Sequence, residues 1–267
     1  CRGLALLPPP SPMDVFFDME GYPLVEGGLE YLFGATTVED GEPRFHEFWA
    51  FDAEGEKRAF EEFVDWVVER RRQDPGMHVY HYAPYEKTAL RTLMSRYGTR
   101  EDEVDDLLRN EVLVDLYPVV RQSMRTSLPG YSIKQIEEFY FSGRGADVAD
   151  GGDSIVQFEA WMETGEQSIL DDIAAYNEED CVSTRELRDW LLSLDPEAGR
   201  RPLRDKPPPE PEPEHEPRVA ALTARAGETA TGDAGAVTAD QHEAWLLANL
   251  LEYHRREEKP GWWAYFT

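Results

Sequence analysis

Asp14-Val15-Phe16-Phe17-Asp18-Met19-Glu20-Gly21 is the stretch that decides the fold. Val15, Phe16 and Phe17 form a β-rich apolar run of the kind that fills a buried central strand, and on a strand residues i and i+2 point to the same face. Asp18 and Glu20 therefore project together. Two carboxylates on one side of a buried strand lose hydration and repel each other unless a cation neutralises them. The plain alternative is a strand end emerging into water, where the acids cost nothing.

Working outward, Met77-His78-Val79-Tyr80-His81-Tyr82-Ala83-Pro84-Tyr85-Glu86-Lys87-Thr88-Ala89-Leu90 reads as strand, turn and helix start. Pro84 suits a first helical position, which puts Glu86 in the first turn, where the helix dipole favours an anion. Glu86 is thus either a helix-start acid or a ligand. Asp115 follows Val112-Leu113-Val114 and precedes Leu116-Tyr117-Pro118, as an acid at the end of a buried strand. It suits fixing a helix start, or supporting a ligand from behind, better than ligation itself.

From Ile169 to Leu192 the apolar residues at 169, 173, 182, 187, 190 and 191, without Gly or Pro, define an amphipathic helix. Tyr176 and Asp180 stand at i and i+4 and share a face. A phenol beside a metal-binding carboxylate can orient an attacking water. An exposed acidic helix would explain Glu178 and Glu179 but not the tyrosine. Glu137 is expected behind the ligands, and Asp172, one turn before Tyr176, is a reserve ligand. Hard cations such as Mg²⁺ or Mn²⁺ take carboxylate oxygens, and a pair of ions needs several carboxylates at one point.

Together these segments resemble the DnaQ-like, or DEDD-type, 3′–5′ exonucleases of the ribonuclease-H-like superfamily. That family has Asp-x-Glu on the first strand, an acid after an aromatic at a helix start, and Tyr-x-x-x-Asp on a late helix. Asp18 and Glu20 match the first motif, Glu86 after Tyr85 the second, and Tyr176 with Asp180 the third. The second motif usually ends in Asp, so Glu86 is a departure. The wording His81-Tyr82-Ala83-Pro84-Tyr85-Glu86 is similar to a ribonuclease-H-like branch of bacterial multidomain proteins, which lies between a RecB-like nuclease module and a superfamily I helicase.

The resemblance implies hydrolysis of single-stranded DNA or RNA from a 3′ end with two Mg²⁺ or Mn²⁺ ions. It implies that Asp18 bridges both ions, Glu20 and Asp180 each bind one, Glu86 acts through the second ion or its waters, and Tyr176 orients the water. A catalytically silent nucleic-acid clamp, or a structural spacer serving an attached helicase, remains the alternative.

The expected fold is α/β, a ribonuclease-H-like mixed sheet flanked by helices. Strands are expected near 14–20, 30–38, 44–51, 77–82 and 111–115, the first three as an antiparallel meander and the last two parallel. Helices are expected near 56–73, 84–97, 116–126, 132–140, 153–164 and 168–193. Residues 1–13 read as an incoming linker and 14–195 as the exonuclease domain. Residues 196–240 read as a disordered tether, because Pro207-Pro208-Pro209-Glu210-Pro211-Glu212-Pro213-Glu214 self-repels and resists helix and sheet. Residues 241–267 read as the start of a following, helicase-like region, with an aromatic cluster at Trp262, Trp263, Tyr265 and Phe266 that needs a partner surface.

With 54 acids against 27 basic residues the formal charge is −27. That opposes nucleic-acid binding at long range, which Lys and Arg normally drive by displacing counterions. Part of the excess belongs to the carboxylate site and part to solvated surface such as Glu101-Asp102-Glu103-Val104-Asp105-Asp106. Arg121, Arg125, Lys134 and Arg144 are candidate phosphate contacts. Cys1 and Cys181 are too few for a zinc site or a disulfide framework, no run approaches a membrane span, and the expected setting is cytoplasmic.

Overall fold

The computed structural model of the protein describes residues 3–39, 41–141, 151–195, 198–199, 217–226 and 238–251. Arg144, the Pro207–Glu214 stretch and the aromatic cluster from Trp262 lie outside the described residues. The chain divides into two compact units, Cys1–Leu203 and Arg204–Thr267.

In the first unit β1 (Val15–Tyr22), β2 (Leu29–Glu39) and β3 (Glu42–Trp49) form an antiparallel meander, and β4 (Val79–His81) and β5 (Leu113–Asp115) continue the sheet in parallel. The order β3-β2-β1-β4-β5 places β1 at the centre, and the mixed sheet is the one the sequence leads one to expect. The alternation of β1 serves both faces. Phe17 stacks on Phe63 of α1 (Ala53–Gln73), ring centroids 4.2 Å apart, while Phe16 stacks on Tyr80 at 5.5 Å. Phe16 and Tyr80 share a buried cluster with Leu187 and Leu191 of α7 (Gln167–Leu194), the helix that crosses that face.

Between β4 and β5 lie α2 (Tyr85–Tyr97) and α3 (Glu101–Arg109). The acidic segment read as mere solvated surface is the helix α3: Val104, Leu107 and Leu108 bury one face while its acids face outward. Pro84 is the N-cap of α2 rather than its first helical residue. After β5 come α4 (Leu116–Ser123), α5 (Ile133–Ile136) and α6 (Gly151–Thr164). The helix expected over 132–140 is a single turn running into a 3₁₀ turn at Glu137–Phe139, and that expected over 116–126 stops at Ser123.

Two features anchor the ends. Ahead of β1, a 3₁₀ turn at Gly3–Leu6 sits beside α4, and Leu7 is buried with Phe16 and Tyr80. At the far end of α7, Arg188 forms a buried ion pair with Asp14 at 2.7 Å, its guanidinium 4.8 Å from the Phe16 ring centroid and 5.0 Å from that of Tyr80.

The second unit contains α8 (Pro217–Ala226) and α9 (Ala239–Leu251), joined by an Arg225–Asp240 ion pair. Residues 217–226 are therefore helical within the interval read as a structureless tether. Among the described residues no helix is long and apolar enough to cross a membrane.

Candidate metal centre

The carboxylates converge where α7 crosses the end of β1. Asp18, Glu20 and Asp180 each offer an oxygen, and these atoms lie within 4.8 Å of one another. A register shift between Glu20 and Gly21 interrupts the β1–β2 ladder here, a bulge of the kind that re-aims side chains beside functional sites. Asn177, one turn before Asp180, donates from Nδ2 to Asp18 Oδ2 at 2.8 Å and reaches Glu20 Oε1 at 3.5 Å. Ser154 of α6 donates to the other Glu20 oxygen at 2.6 Å. The helix sits this close because residue 34 of β2 has no side chain: Cys181 Sγ lies 3.3 Å from the Gly34 carbonyl oxygen.

Burial, then the charges of Asp180, Glu20 and Glu86, holds the Asp18 carboxyl well above the usual carboxylate range. Glu20 is pushed up to about 7, chiefly by burial, with Asp180 adding to the rise and the Ser154 and Asn177 hydrogen bonds opposing it. Three like charges confined in low dielectric cannot all ionise alone. The donors are all carboxylate oxygens, the set that hard divalent cations prefer, so these residues fit Mg²⁺ or Mn²⁺.

Glu86 is buried in the first turn of α2 and hydrogen-bonds Asp18, carboxyl to carboxyl, a contact that a shared proton or a cation must bridge. It stands beside the three-carboxylate group rather than within it. His81 Nδ1 lies 3.2 Å from Glu86 Oε2.

Tyr176 reaches the same place from α7. Its hydroxyl oxygen accepts from Lys134 Nζ at 2.6 Å, the ammonium lies 4.4 Å from the ring centroid, and the phenol also hydrogen-bonds Asp180. Burial, followed by Asp180, Glu20 and Asp18, drives the phenol pKa far up, so Tyr176 is a neutral donor.

Asp115 caps α4 through Tyr117 N at 2.8 Å and also accepts from Ala83 N at 2.9 Å, in the loop that leads to Glu86. Glu137 accepts from Ser183 of α7 at 2.6 Å. Asp172 is exposed and is not among the grouped acids of the described residues. Arg121 lies over the rings of Tyr117 and Tyr131, at 6.0 and 4.8 Å. Sequence reasoning assigned no role to Asn177, Ser154 or His81. Asn177 stands three residues before Asp180 and so shares its face, which was a usable signal. Ser154 meets Glu20 across 134 residues of chain, and no local pattern announces it.

A five-stranded mixed sheet with a cluster of carboxylates between its central strand and a crossing helix is a nuclease-like arrangement. The family model described as RNase H superfamily matches residues 15–192, and the chain belongs to that superfamily. A search of curated proteins returns no match. Members of the superfamily generally hydrolyse phosphodiester bonds, typically with divalent metals, which makes nucleic acid the implied partner of this domain.

Proposed function

We propose that the domain is a metal-dependent 3′–5′ exonuclease of the DnaQ-like kind, acting on single-stranded DNA or RNA as one module of a larger nuclease–helicase protein. The observation that carries the reading is the meeting of Asp18, Glu20 and Asp180 with the Tyr176 hydroxyl at one point.

Asp18, Glu20 and Asp180 would hold the cations, with Glu86 completing the site beside Asp18. Such ions would supply charge stabilisation during phosphodiester cleavage and make a water more acidic near neutral pH. The protein's own groups do the rest. Asn177 and Ser154 fix the rotamers of Asp18 and Glu20 by direct hydrogen bonds. Tyr176, high in pKa, keeps its proton and shares it with Asp180, so an attacking water would take that proton as a hydrogen bond in place of Asp180 and be oriented without being deprotonated. Lys134 donates to the phenol oxygen and brings a positive charge beside the carboxylates, where a phosphate would have to approach.

The test is cleavage of strands labelled at either end by the intact chain in Mg²⁺ or Mn²⁺. A 5′ label should yield a ladder that shortens with time and a 3′ label a mononucleotide at once, with neither in EDTA. Tyr176→Phe should lower the rate by about 10²-fold, the size of one oriented donor in a proton-handling step. Strands intact after hours with Mn²⁺ would leave the silent clamp as the reading.

A further inference from the structure

Glu86 is one methylene longer than the residue that the resemblance leads one to expect, and its surroundings include an arrangement that accounts for the length. The β4–α2 loop carries Ala83 at φ 73°, in the left-handed region that alanine rarely adopts. Something must hold it there. Asp115 Oδ1 accepts from Ala83 N at 2.9 Å and from Tyr117 N at 2.8 Å, tying the loop to the start of α4. The loop in turn presents the Ala83 carbonyl oxygen to His81 Nδ1 at 2.8 Å, and the same nitrogen lies 3.2 Å from Glu86 Oε2. The His81 ring is fully buried and its Nε2 has no hydrogen-bond partner among the described residues, so a single proton on Nδ1 satisfies the geometry.

The geometry points to His81 as a positioning residue: held by the strained Ala83 and by Asp115, it fixes the Glu86 carboxyl against Asp18. This rests on the metal-centre reading above for its consequence, though not for its geometry. A longer acid at this helix start has more rotamers than Asp, and the imidazole N–H selects the one that reaches Asp18. The strain in Ala83 follows from the same arrangement, since the unusual φ turns its carbonyl onto the imidazole.

The experiment has a metal-free arm and a metal arm, both on the intact chain. In the first, the ring nitrogens of His81 are followed by ¹H–¹⁵N NMR without metal. Glu86→Gln and Asp115→Ala should each shift the Nδ1 resonance. Asp115→Asn, which keeps the accepting oxygen, should not. In the second, Mn²⁺ binding is measured by calorimetry. His81→Leu should weaken it about tenfold or more, as loss of a group behind a ligand does. His81→Asn, whose amide NH₂ stands near the place of Nδ1, should bind as wild type. In a Glu86→Gln background His81→Leu should add nothing. If His81→Leu does not fold, the Asp115→Ala and Asp115→Asn pair carries the same comparison.

A His81 ring indifferent to both Glu86→Gln and Asp115→Ala overturns the proposal. So does an equal loss of Mn²⁺ affinity from His81→Leu with and without Glu86. Ring shifts as expected in a wild-type protein that binds no Mn²⁺ would support the positioning and sink the metal centre instead.

Discussion

Asn177 occupies the space in which a side chain on Gly34 would stand: a Cβ there would lie 2.7 Å from Asn177 Cγ and closer still to Oδ1. The close approach of β2 and α7 and the hydrogen bond from Asn177 to Asp18 are therefore one arrangement. Gly34→Ala should displace the amide, destabilise the domain by about 1–3 kcal/mol as overpacking does, and lower cleavage. Urea unfolding of Gly34→Ala beside Gly34→Ala/Asn177→Ala decides it. If the second change fails to recover stability, the overlap is not the cause.

Metal-free stability should fall as pH rises through neutrality. Glu20 is raised to about 7 and Asp18 is raised as well, so between the unfolded carboxylate range and the folded values the native state binds more protons than the unfolded one. The stabilisation is complete below about pH 4 and declines from there up to the folded values, at roughly 1.4 kcal/mol per pH unit for each proton the native state holds in excess, levelling off once the folded carboxyls ionise. Thermal melts in EDTA from pH 5 to 8 should show the decline, and Asp18→Asn should flatten it. A melting temperature that climbs over this range in EDTA contradicts the raised carboxylates.

Mn²⁺ should reverse that loss. A cation that binds only the folded state adds about 2.7 kcal/mol at a hundredfold excess over Kd, and its affinity should grow with pH because it displaces protons. Asp18→Asn should abolish the gain, whereas Asp172→Ala, on an exposed face of α7, should keep it. Equal Mn²⁺-induced shifts in wild type and Asp18→Asn would remove Asp18 from the ligand set.

For Glu86→Gln the expected result is a fall in cleavage of orders of magnitude with a stability cost of at most roughly 0.3–1 kcal/mol, the worth of a helix-start charge. Initial rates together with denaturation curves test both halves. Wild-type rates from this variant would confine Glu86 to the helix start.

Arg188→Ala should unfold the domain most readily of these changes, because it leaves Asp14 buried without its partner, a loss of about 3–5 kcal/mol. The specific activity of the fraction that remains folded should stay near that of wild type, since Arg188 lies at the far end of α7. Loss of activity without loss of stability would contradict this role.

The legible parts of the fold were those written in local pattern. Val15-Phe16-Phe17 announces the central strand, and the spacing from Ile169 to Leu191 announces α7. The sheet and its mixed sense followed from those and from the Gly turns. α3 was missed because its start lacks a capping side chain, Arg100 standing at its N-cap in the left-handed region, and because its acids outnumber its three buried apolar residues. In the site, Asp18, Glu20, Tyr176 and Asp180 were visible as pairs at strand and helix spacing. Ser154 was not, because its role depends on α6 docking against β1, and neither was the His81–Glu86 contact, because it depends on a loop held from Asp115.

α7 carries the Tyr176, Asn177 and Asp180 cluster at one point and the Arg188 anchor two turns later, and both are pinned to β1 or to the residue just before it. One residue inserted between them would rotate the two parts of the helix against each other by about 100°. Either Asp180 would leave Asp18 or Arg188 would leave Asp14. The interval 181–187 is thus a fixed-length ruler: it can change its letters on the outward face, but not their number.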